Sequence, residues 1–211
     1  MVEAEAKAWL SDRLAVPRET IERLEAFTSL LRAENHHQNL VSEASLDHIW
    51  VRHIADSAQL GLLAPTPDAD WLDLGSGAGF PGLIVALLHQ KRVTLVEERR
   101  LRVDFLRKAA SLLGVDAEII WSRVERMPAR PFGVISARAF APLPRLLELG
   151  TAFSTTNTLW ILPKGRNAQS ELEALDPSWQ GDFRLEPSLT DPEAQIIVAR
   201  GVRRTAKRKR R

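Results

Sequence analysis

Residues 71–82 read WLDLGSGAGFPG, with Gly75, Gly77, Gly79 and Gly82 falling in eight positions and a carboxylate, Asp73, two places ahead of the first. A short apolar run that ends in glycine, followed by PGLIVALLHQ at helical spacing with Pro81 near the first turn, describes a strand, a bare turn and a helix. So little side chain lets backbone approach a ligand at a helix N-terminus.

The same alternation continues downstream. RVTLVE (92–97) is β-branched and reads as a strand, 99–113 as a helix closed by Gly114, and AEIIW (117–121) and FGVISA (132–137) as strands. A helix over 142–153 and a strand TLWIL (158–162) follow, then FRLEPSL (183–189) and EAQIIVAR (193–200), which suit a hairpin at a sheet edge. Strand and helix alternating in this way predict an α/β fold, a mostly parallel seven-stranded sheet with helices on both faces. Ligands of such sheets sit at the carboxyl ends of the strands. Upstream, Ile21, Leu24, Phe27, Leu30 and Leu31 predict a helix over 17–35, and a second, capped by Ser45, runs to about residue 63. Pro65 and Pro67 mark a boundary. The expected units are a helical extension (1–64), a ligand-binding domain (65–200) and a basic tail (201–211).

That tail, GVRRTAKRKRR, holds seven Lys/Arg and no acid, although the whole chain is only +2. The other 200 residues carry 22 Lys/Arg against 27 Asp/Glu. An acidic globule with a dense cationic end is expected to meet nucleic-acid phosphates. The chain has no cysteine, which excludes disulfides, thiolate metal sites and a cysteine nucleophile. His36 and His37 have no partner at ligand spacing, so no metal is expected. With no membrane-length apolar run and no basic-then-apolar start, the chain is expected to be cytoplasmic, and a monomer.

The glycine turn alone fits two ligands. Gly77-x-Gly79-x-x-Gly82, with Glu97 twenty residues beyond Gly77, satisfies a dinucleotide fingerprint. Asp73 tilts the choice, because a carboxylate there would repel a pyrophosphate and attract the sulfonium and amino group of S-adenosylmethionine. Asp73 could instead cap the loop. Glu97 ends the second strand, where a carboxylate accepts from ribose hydroxyls, and its neighbour Glu98 is the alternative.

WLDLGSGAGFPG, TLVEERRLRVDFLRKAASLLG, WSRVE, VISARAF and LPKG, with NLVS and VRHIADS upstream, resemble the bacterial RsmG (glucose-inhibited division B) family in order, from about residue 39 to 200. The resemblance implies a Rossmann-like class I methyltransferase that methylates guanine N7 in the decoding-centre loop of 16S ribosomal RNA, naked or in the small subunit. It implies cofactor contacts at Gly75, Phe80, Val124, Glu125 and Arg138.

The residues suit that chemistry. Guanine N7 carries a free lone pair, so positioning and charge matter more than a general base. The loop SARAF lacks the Asp/Asn-Pro-Pro-aromatic sequence of exocyclic-amine methylases, and without cysteine a C5-pyrimidine mechanism is excluded. Arg123, Arg138 and Lys164 close strands three, four and five and are expected to converge on one rim, gripping a phosphate or the O6 edge. Arg138 has two candidate tasks, the cofactor carboxylate or an RNA phosphate. His53 and Asp56 are expected to shape the substrate pocket, although His53 also suits a packed histidine and Asp56 could simply pair with Arg52. Phe80 and Phe140 are candidates for stacking a splayed base, whereas Trp121 and Trp160 are expected in the core.

Overall fold

In the computed structural model, which describes residues 1–64 and 69–205, β1 (Trp71–Leu74) is buried at every position. It lies third in a seven-stranded sheet of order β3-β2-β1-β4-β5-β7-β6. The strands are β2 (Val93–Glu97), β3 (Ala117–Trp121), β4 (Val134–Ser136), β5 (Leu159–Gly165), β6 (Trp179–Pro187) and β7 (Gln195–Arg204). β1 to β5 are parallel; β7 runs antiparallel to β5, and β6 pairs antiparallel with β7 at the edge. Parallel strands need crossovers. Three are made by helices α5 (Gly82–His89), α6 (Arg100–Leu113) and α7 (Leu143–Gly150), whereas β3 reaches β4 through a 3-10 turn at Val124–Arg126.

One face of the sheet packs α5 and α6 together with α1 (Glu3–Arg13), α2 (Arg18–Gln38) and α4 (Asp56–Leu62), around Leu24, Phe27, Ile54, Leu60, Trp71, Leu83 and Leu106. The other packs α7 and α8 (Ala168–Glu173) on Leu72, Leu74, Leu146, Trp160 and Ile197. The N-terminal helices thus complete the core of the sheet's first face. Gly114, at φ +65, caps α6 as its sequence indicates.

Several sequence expectations need correction. The helix expected from Ser45 is broken into α3 (Glu43–Leu46), a π-helical segment (Trp50–Ala55) and α4. Ser45 does not cap it, because its hydroxyl donates to the Ser42 carbonyl within α3's first turn. Trp160 is core, but Trp121 is 56% exposed because it ends β3, the edge strand. Residues 201–204 belong to β7, where Arg203 donates to Gln180 and Arg204 to Glu148. The rest of the cationic tail, 206–211, and the Pro65/Pro67 boundary lie outside the described residues.

Candidate active site

The turn after β1 is built around two buried carboxylates, and the deeper one is Asp73. It is fully enclosed; Oδ1 accepts the Ser136 hydroxyl at 2.7 Å and Oδ2 the Gly82 amide at 3.3 Å. Ser136 in turn accepts the Trp71 indole N–H at 2.7 Å. Burial pushes Asp73 up to about 6, opposed by hydrogen bonds from Ser136, Ser76 and Gly82 and by the charge of Arg138. The expectation that Asp73 faces a ligand sulfonium is therefore corrected. It ties β1 to β4 and to the first turn of α5, where a carboxylate also meets the positive end of the helix.

Glu97 is the second carboxylate. Oε2 accepts the Gly77 amide at 3.0 Å and Oε1 that of Arg99 at 2.9 Å, while Arg102 stands 3.9 Å away. Glu98 instead faces solvent and pairs with Arg123 at 3.3 Å. The pleat thus turns Glu97, and not Glu98, to the glycine turn. Gly75 and Gly77 hold φ of +69 and +55, a region costly to residues with a Cβ. A Cβ on Gly75 would strike the Phe140 ring at 2.2 Å, but one on Gly77 would meet nothing closer than 3.8 Å. Beyond β3, Val124 is buried and the exposed Glu125 pairs with Arg145 at 2.6 Å. Bare backbone open on one side, with a fixed acid at the next strand end, fits the adenosyl part of S-adenosylmethionine.

Beside the turn, a cleft of about 990 Å³ opens at the carboxyl ends of β4 and β5. Arg138, His53, Asp56, Phe140, Lys164 and Glu171 line it. Arg138 is gripped from the N-terminal helices: it donates to His53 Nδ1 at 2.6 Å and to the Arg52 carbonyl at 3.0 Å, and Asp56 Oδ2 lies 3.5 Å off. A guanidinium only donates, so Nδ1 is the acceptor. The ring proton is then on Nε2, which donates to Ser45 Oγ at 2.9 Å. Burial first, then the charges of Arg138 and Arg52, push His53 down to about 3. Burial also lowers Arg138, countered by Asp56 and Asp73. Asp56 accepts from Thr190 and Gln59, while Arg52 turns to Asp191 at 3.8 Å; the alternative Arg52–Asp56 pair is not formed.

Of the three strand-end cations, Arg138 and Lys164 share this cleft, Lys164 donating to the Ala141 carbonyl at 2.8 Å and pairing with Glu171 at 2.9 Å. Arg123 does not, because the sheet order places β3 at the far edge. Phe80 is not free to stack a base either: it is buried, with the His53 ring stacked on it at 4.8 Å and Arg138 over it at 5.2 Å. Phe140, half-buried over Gly75, joins the turn to the cleft. Sequence reading missed Ser45, Ser136, Glu171 and Thr190 as site residues, polar groups whose roles depend on partners 7 to 134 positions away.

A mostly parallel sheet with a glycine turn after β1, an acid ending β2 and a cleft over β4 and β5 defines the class of S-adenosylmethionine-dependent methyltransferases. The Bacillus cereus O-methyltransferase solved with SAH has this fold, with a TM-score of 0.59 at 17% identity, covering 92% of this chain and 96% of that one. MtNAS, a mutant of which was solved with S-adenosylmethionine, superposes with a TM-score of 0.58 at 17% identity over 94% of this chain and 83% of its own. The family GidB, rRNA small subunit methyltransferase G, matches residues 20–205, and the chain belongs to it. Relatives named Ribosomal RNA small subunit methyltransferase G are 50% identical over 207 residues in Zymomonas mobilis (94% of each chain) and 53% over 203 in Rhizorhabdus wittichii (94% of this chain, 93% of that one).

Proposed function

We propose that this chain, an S-adenosylmethionine-dependent methyltransferase acting in 16S ribosomal RNA, delivers the methyl group to N7 of a guanine in the small subunit's decoding-centre loop. The observation that carries the choice of atom is the state of the bases in the cleft. Both nitrogens of His53 are engaged, Asp56 is held by Arg138, Glu171 by Lys164, and Asp191 by Arg52 and the Glu193 amide. The cleft is thus poorly equipped to take a proton from an amine or a hydroxyl, and N7 needs none removed.

When bound, S-adenosylmethionine supplies a sulfonium methyl: the N7 lone pair forms the new N–C bond, the C–S pair returns to sulfur as a thioether, and the positive charge passes to the guanine ring. The residues that would hold it are Gly75, Gly77, Gly79, Glu97, Val124 and Glu125, with Asp73 fixing the turn from behind. Arg138, at the junction of turn and cleft, would bind the cofactor carboxylate, and Lys164 the guanine O6 or a phosphate. Asp56 and Glu171 keep the cleft from accumulating positive charge as the methylated base becomes cationic. The enzyme is read as a cytoplasmic monomer; among the described residues no helix is long and apolar enough to cross a membrane.

The test is to incubate the chain with labelled S-adenosylmethionine and either naked 16S RNA or small subunits, then map the label. Label at N7 of one guanine, released by reductive cleavage specific for 7-methylguanosine, is the expected result. Label on an exocyclic amine or a ribose would overturn the choice of atom.

A further inference from the structure

The chain has six tryptophans, and among the described residues Trp121 alone is exposed. It ends β3, in register with Glu97, so it stands on the same rim as the glycine turn but at the opposite edge from the cleft. Its ring is fixed: the indole N–H donates to the Glu98 carbonyl at 3.0 Å, and the Arg100 guanidinium lies 5.9 Å from the ring centroid. Leu101, the next residue of α6, is 64% exposed. Close by in sequence, the exposed side chains of Arg99, just before α6, and Arg126, five residues beyond Trp121, make no ion pair among the described residues, and Arg123 is held only by the solvent-facing Glu98.

We propose that this patch is a second RNA-docking surface, on which an unpaired base of the substrate RNA stacks against Trp121 while Arg99, Arg100 and Arg126 take the flanking phosphates. An exposed indole already held in one orientation loses little freedom on stacking, and flanking arginines track a backbone; together they suit single-stranded RNA. The patch is separate from the cleft, so it would fix the register of the RNA on the rim without touching the reacting guanine. The proposal rests on the reading of the chain as an rRNA methyltransferase, and deepens it.

The experiment titrates full-length wild type, Trp121→Ala, Trp121→Phe and Arg126→Gln with a labelled 16S RNA fragment, without turnover, so that a wrong choice of methylated atom leaves the readout standing. Affinity for S-adenosylmethionine, melting temperature and sedimentation are measured in parallel. Loss of a base–aromatic stack corresponds to roughly 5- to 150-fold in affinity. Trp121→Ala should weaken RNA binding at least about fivefold, with cofactor affinity and melting temperature unchanged; Trp121→Phe should recover most of it. Arg126→Gln should weaken binding and flatten its salt dependence. Unchanged RNA affinity in Trp121→Ala would overturn the proposal. So would an equal fall in cofactor affinity, which would assign the ring to adenine, or a change from dimer to monomer, which would assign the patch to a second copy.

Discussion

Acidification should act on this fold through two buried groups that pull in opposite directions, and replacing His53 with Asn should separate them. His53 is held neutral, with its folded value near 3 against an ordinary 6.5. As pH falls below 6.5 the unfolded chain takes up a proton that the folded chain refuses, so stability present above 6.5 is lost progressively toward pH 3. The full window corresponds to about 5 kcal/mol and the part down to pH 4.5 to about 2.7 kcal/mol, as orders of magnitude. Asp73 has the opposite sign. Its folded value near 6 lies above the ordinary 3.8, so the folded chain binds the proton first and stability rises as pH falls from 6 toward 3.8. Down to pH 4.5 that amounts to about 2 kcal/mol.

In the wild type these contributions nearly cancel, and the pH dependence from this pair is shallow. Asn at position 53 can place an amide oxygen near the Nδ1 position, keeping an acceptor for Arg138 without a titrating ring. The assay is urea unfolding of wild type, His53→Asn, Asp73→Asn and the double variant at pH 7.5 and 4.5. Relative to wild type, His53→Asn should gain about 2.7 kcal/mol on acidification and Asp73→Asn should lose about 2 kcal/mol. Comparing each variant with itself at two pH values removes any fixed cost of the substitution. If wild type and His53→Asn lose stability in parallel, the reasoning fails: His53 would then be solvated, and Arg138 would not be held as described.

Gly75→Ala should cost about 1–2 kcal/mol from its positive φ, with a further penalty from the Phe140 ring; adding Phe140→Ala should relieve only the second part, as read by thermal unfolding. Arg138→Lys keeps the charge but loses the fork that reaches His53 and the Arg52 carbonyl together, so cofactor affinity by direct titration should fall about tenfold or more; unchanged affinity would remove Arg138 from the cofactor. Deleting 206–211 leaves β7 whole and removes five of the tail's seven cations. If the full tail meets about four phosphates, it contributes a slope near −3 to log affinity for RNA against log salt, and the deletion should remove most of that contribution and leave the part due to the other cations; an unchanged slope would exclude the tail from RNA docking.

How much of this was legible in the sequence depended on the range over which each feature is decided. The strand–glycine–helix order, the Gly114 cap and the seven strands follow from patterns a few residues long, and they were readable. The choice of Glu97 over Glu98 needed only the parity of a strand. Asp73 is different: the same parity places it on a face without saying that Ser136, 63 positions away, and the Gly82 amide will enclose it. The methyl-donor reading survives the loss of that ligand-facing carboxylate because membership of the rRNA methyltransferase family carries it, whereas the open backbone at Gly77 and the acid at Glu97 would suit a dinucleotide as well.

Arg123 and Arg138 each follow a strand end, but only the sheet order, fixed by long-range pairing, sends one to the far edge and the other to the cleft. Gly201 resembles a break before a charged tail, yet its positive φ lies within β7, close to the register shift opposite Gln180 and Asp182, and the strand continues. The π-helical segment at Trp50–Ala55 was equally hidden, since one wide turn barely disturbs an apolar pattern. That segment supplies His53 and the Arg52 carbonyl to Arg138, and Asp56 follows immediately. The helical extension, in which the sequence already marked His53 and Asp56 for the substrate pocket, therefore forms a wall of the candidate site: Arg138 follows β4 of the sheet, but the atoms that hold it come from residues 52–56.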